Sequence, residues 1–90
     1  MRFERIWLEQ FKATKAIRER FGVGSALDYL VGEKLMMFSS AAQCRPEFAL
    51  ELPKFLAAIW QMFNQYELAG YIASLKPAER RQLRKLLFME

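Results

Sequence analysis

Residues 25–43 read Ser25-Ala26-Leu27-Asp28-Tyr29-Leu30-Val31-Gly32-Glu33-Lys34-Leu35-Met36-Met37-Phe38-Ser39-Ser40-Ala41-Ala42-Gln43. The run is too long for a strand and shows no alternation of apolar and polar residues. At about 100° per residue, Leu27, Leu30, Val31, Met37, Phe38 and Ala41 share one face. Tyr29 and Met36 fall on the other side, so the helix is apolar nearly all round. A helix of that kind is central in its domain or covered by a partner. Ser25 is the expected N-cap, with Asp28 at N3 in a near capping box. Gly32 inside the helix costs up to about 1 kcal/mol against alanine and suggests a close helix crossing. Lys34 lies on the apolar stripe between Leu30 and Phe38. Such a lysine is expected to bring its ammonium to water or pair with Glu33 or Glu51.

Working outward, breaks fall at Gly22-Val23-Gly24-Ser25, Arg45-Pro46, Asn64 and Lys76-Pro77. They divide the chain into five helical segments. The first runs over 3–21, with Phe3, Ile6, Trp7, Gln10, Ala13, Ile17 and Phe21 on one face. Leu8 and Phe11 lie off that stripe, toward the charged side. Gly22 suits the C′ position, where a left-handed backbone is cheap only for glycine. The third segment, 46–63, starts on Pro46 and carries Phe48, Leu52, Phe55, Leu56, Ile59, Met62 and Phe63. Pro53 inside it predicts a kink or short break at 51–53. The fourth, 64–75, opens with Asn64 and Glu67 in a capping-box pattern. The fifth, 77–88, has a narrow apolar face of Leu83, Leu86 and Leu87. The expected fold class is all-α, a compact bundle of five helices in one domain spanning 1–90.

Composition bounds the chemistry. The chain of 90 residues is 53% hydrophobic, which suffices for a core. It has no histidine and one cysteine, so histidine chemistry and an internal disulfide are excluded. Carboxylates are scattered, and Glu47 and Glu51 on one helix face read as solvated. No metal and no cofactor are expected. Cys44 reads as a free core thiol in a reducing, cytoplasmic setting. Gly22-Val23-Gly24 follows a helix, and no Gly-Lys-Ser/Thr follows it, so it reads as a turn and not a phosphate loop. Ser39-Ser40 has neither a nucleophile elbow nor a histidine base. The longest charge-free stretch, Phe55 to Tyr66, has twelve residues. A membrane helix needs about 18, so no membrane span is expected. Arg2, Glu4 and Arg5 break any signal-peptide core. These exclusions favour a binding protein over an enzyme.

Two surfaces are candidates for binding. Residues 1–75 hold nine positive and eight negative charges, whereas 76–90 hold five positive and two negative. The basic C-terminal segment 76–90 thus carries the net charge, with Arg80, Arg81, Arg84 and Lys85 on one arc. Such an arc is a solvated face, a dock for an acidic protein, or a phosphate contact. The second is apolar. Thirteen aromatics and five methionines are many for a chain of this size. Leu8, Phe11, Tyr29, Met36 and Trp60 are the expected partner-binding anchors, serving a homodimer or a protein groove.

The run Ala26-Leu27-Asp28-Tyr29-Leu30-Val31-Gly32-Glu33-Lys34-Leu35, with Pro46-Glu47-Phe48 and Glu51-Leu52-Pro53-Lys54-Phe55, resembles small all-helical bacterial proteins of unknown function. The resemblance spans roughly residues 5–72. It implies a bacterial or phage origin and carries no activity. The expected function is a non-enzymatic protein–protein interaction module. It would act as an accessory regulator or inhibitor from a bacterial chromosome or mobile element, by surface occupation. The alternative is a nucleic-acid-binding regulator using the basic C-terminal helix.

Overall fold

A computed structural model describes residues 3–89. They form five helical stretches, and no strand occurs among the described residues. The helices are α1 (Phe3–Phe21), α2 (23–44), α3 (Pro46–Met62), α4 (Gln65–Ala73) and α5 (Pro77–Phe88). The all-α class and the positions of the four breaks agree with the sequence reading. The backbone separates into two compact units, Met1–Phe55 and Leu56–Glu90, with the division inside α3.

In the first unit α1 packs along the N-terminal part of α2. Gly22 makes the turn between them. Its φ of +97° and ψ of 174° suit glycine alone, and its N–H donates to the Arg18 carbonyl at 3.1 Å. The same residue is the N-cap of α2, which begins at Val23, so Ser25 lies inside the helix and does not cap it. The expected near capping box of Ser25 and Asp28 is therefore corrected. A glycine in this conformation already reverses the chain, so the second helix needs no spacer before it starts.

The middle of α2, Asp28–Leu35, is a π-helix, with backbone bonds closing on the fifth residue. This wider turn shifts the phase of everything beyond it. Ala26, Leu27, Leu30, Val31, Leu35 and Ser39 are buried, whereas Met37, expected inward, is 62% exposed. The wider turn also sets residues five apart over one another. Lys34 Nζ lies 5.3 Å from the centroid of the Tyr29 ring and 3.3 Å from Glu33 Oε1. The expected pairing of Lys34 with Glu33 is thus observed.

The buried face of α1 also differs from the expected stripe. Phe11 and Thr14 are buried and Trp7 is half-buried, whereas Phe21 is 67% exposed. The face is turned about a fifth of a turn toward Phe11. Two contacts explain it. Thr14 Oγ1 donates to the Gln10 carbonyl at 2.7 Å, which satisfies its hydroxyl inside the core. Phe11 meets Phe55 at 5.1 Å between ring centroids and Trp7 at 5.6 Å. Phe55 also stacks on Phe38 at 5.1 Å, and Phe38 meets Phe48 at 5.4 Å. The core of this unit is therefore an aromatic cluster centred on Phe55. The expected inward placement of Phe3 and Ile6 lies outside the described side chains.

Helix α2 ends at Cys44, and Arg45 is extended (φ −130°, ψ 120°), as a residue before proline should be. Cys44 is exposed, contrary to its reading as a core thiol, because it closes the helix at the chain break. Helix α3 runs through Pro53 without interruption, so the expected break at 51–53 does not form. Pro53 itself is exposed, on the side away from the buried Phe55 and Ile59. Water can therefore reach the backbone where the proline removes a donor.

Candidate binding surface

The second unit builds a concave basic face. Helix α4 starts with the capping box the sequence announces. The Glu67 N–H donates to Asn64 Oδ1 at 2.8 Å, and the Asn64 N–H donates to Glu67 Oε1 at 3.0 Å. It ends earlier than expected, at Ala73, where Ser74 turns the chain and donates from Oγ to the Tyr71 carbonyl at 2.6 Å. Lys76 then caps α5, with Pro77 as its first residue.

Helix α5 is held at its middle and its C-terminal end. Leu83 and Leu87 are buried, and Leu68, Ile72, Ile59 and Phe63 supply further core to this unit. Trp60 Nε1 donates to the Leu87 carbonyl at 3.1 Å, which satisfies one of the orphan acceptors at the helix end. The Trp60 ring also meets Phe88 edge to face at 5.2 Å. Met89 closes the helix in a left-handed conformation (φ 57°). Trp60 is 36% exposed, so it combines a structural bond with a surface position.

This docking orders the basic arc. Arg80 is half-buried, and Arg81, Arg84 and Lys85 are exposed. Pro77, Arg80, Arg81 and Arg84 line an open hollow of about 370 Å³. A second hollow of about 270 Å³ is lined by Ala69, Ile72, Arg84 and Phe88. Arg84 belongs to both. None of the four cations has an ion pair with a carboxylate among the described residues. Arg80 and Arg81 also stand near the positive end of the α5 dipole, which only Glu79 in the first turn opposes. Among the described residues the site thus gathers positive charge with no carboxylate paired to it, beside the apolar side chains of Ala69, Ile72 and Phe88.

The expected apolar anchors divide differently. Leu8 is 51% exposed and Tyr29 and Met36 are half-buried, all in the first unit, whereas Trp60 belongs to the second. Phe11 is a correction. At 9% exposure it is a core residue against Phe55, and it is not a free anchor. None of the five lines either hollow. The sequence reading missed Pro77, Ala69, Ile72 and Phe88 as parts of the basic surface. The available signal was the row Arg80, Arg84, Phe88, spaced at four-residue steps along one side of the helix.

Among the described residues no three cysteine or carboxylate side chains gather as a metal site, and no helix is long and apolar enough to cross a membrane. Set against protein-family models, curated proteins and solved structures, the chain finds no match.

Proposed function

We propose that this chain is a non-enzymatic interaction module that binds an acidic surface of a protein partner through the basic face of α5. One observation carries the reading: Arg80, Arg81 and Arg84 line a single hollow and have no carboxylate partner among the described residues. An arginine fork matches a carboxylate in two parallel hydrogen bonds, so three such forks in one hollow suit an acidic cluster. Their mutual repulsion in the free chain is relieved when an anion arrives. The action proposed is occupation of the partner's surface, as an accessory regulator or inhibitor in a bacterial or mobile-element setting. A homodimer formed through exposed apolar residues such as Leu8 belongs to the same reading, and sedimentation across a concentration series tests it.

The partner reading is tested with immobilised full-length chain beside its Arg80→Gln/Arg81→Gln/Arg84→Gln variant. Proteins captured from a bacterial lysate are identified, purified and mixed back singly. The expected result is an acidic protein held by the parent chain and lost by the variant. Equal retention by both, or retention of nucleic acid in place of protein, refutes the proposal.

A further inference from the structure

Resting on that reading, we infer that the partner element is an acidic amphipathic helix. Its carboxylates meet Arg80, Arg81 and Arg84, and one bulky apolar side chain enters the Ala69–Ile72–Phe88 hollow. Three features lead there. The two hollows adjoin at Arg84, so one ligand can reach both. The basic hollow asks for anions, whereas the second is lined by Arg84 together with Ala69, Ile72 and Phe88, three apolar side chains that offer contact to an apolar group and no hydrogen bond to a phosphate chain. Charge complementarity therefore sets the sign of the ligand, and the apolar part of the second hollow suits the apolar side chain of a protein segment.

Spacing supplies a further requirement. Arg80, Arg84 and Phe88 follow one another at four-residue steps along α5. At about 1.5 Å of rise per residue, the row is about 12 Å long. A helix lying along it repeats at nearly the same pitch. The partner's apolar anchor should therefore stand about two turns from the carboxylate that meets Arg80, at a separation of seven or eight residues, and about one turn from the one that meets Arg84. A short acidic run without that anchor fills half of the surface.

Fluorescence anisotropy with the full chain tests this. The probe is a labelled helical peptide with a glutamate cluster and one leucine, two turns from the far glutamate and one turn from the near one. Its controls are the same peptide with the leucine replaced by glutamine, a polyglutamate of equal length, and a labelled DNA duplex. Ala69 is exposed, so Ala69→Gln fills the apolar hollow without disturbing the core, and circular dichroism checks that the variant is folded. Loss of the leucine, or the Ala69→Gln change, should each weaken binding by about tenfold or more. Arg84→Gln should weaken the peptide with its leucine more than the polyglutamate, because Arg84 lines both hollows.

If the leucine and Ala69→Gln make no difference while every acidic peptide binds, the helix inference falls and the acidic-partner reading stands. If no acidic peptide binds at low salt, or the duplex binds more tightly than the peptide at equal salt, both fall.

Discussion

Trp60→Phe isolates the bond that ties α5 to the end of α3. The substitution keeps an aromatic ring near Phe88 and removes the indole N–H that reaches the Leu87 carbonyl at 3.1 Å. A net hydrogen bond contributes about 0.5–1.5 kcal/mol, and the lower end applies here because water can replace the donor at a site 36% exposed. The smaller ring also gives up apolar contact, costing about a further 1 kcal/mol. The expected loss is about 1–2 kcal/mol, read as a lower urea midpoint by circular dichroism at unchanged slope. Backbone amides near the end of α5 should exchange faster while those around Gly22 do not change. Trp7→Phe is the matched control. The Trp7 Nε1 is buried without a hydrogen-bond partner among the described residues. Removing it relieves an unsatisfied donor and offsets the lost contact. Trp60→Phe should therefore be more destabilising than Trp7→Phe. The reverse order, or unchanged exchange at the end of α5, would refute the assignment of a stabilising role to the Trp60 bond.

Four further outcomes follow from the same structure. Gly22→Ala places a Cβ at φ +97° and should cost about 1–3 kcal/mol in urea unfolding, although the space around it is open. Phe55→Ala opens the centre of the aromatic cluster and should cost about 3–5 kcal/mol, with loss of the near-ultraviolet aromatic signal. Arg80→Gln/Arg81→Gln should leave the thermal midpoint unchanged or raise it at low salt, because two cations leave the positive end of a helix; a clear fall would contradict unpaired arginines. Cys44 should react with a thiol reagent in the native protein nearly as fast as in urea, and strong protection would overturn its exposed position.

The sequence by itself determined where the chain breaks between helices, to within a few residues. Gly22, Arg45-Pro46, the Asn64–Glu67 pair and Lys76-Pro77 act through their own backbone and nearest neighbours, so their effect is local and readable. The basic arc was equally legible, since four cations within six positions of one helix must share a side of it. Only the tertiary structure decided which face each helix buries. Phe11 went inward and Phe21 outward because Phe55, far along the chain, offers its ring to one and not the other. The π turn of α2 moved Met37 to the surface, a change of phase that regular helical periodicity does not express. The apolar hollow beside Arg84 joins residues of two helices, so it exists only once Leu83 and Leu87 are buried and Trp60 has bound the end of α5. Caps and breakers depend on short-range bonds, whereas faces and hollows depend on which distant side chains compete for the same buried volume.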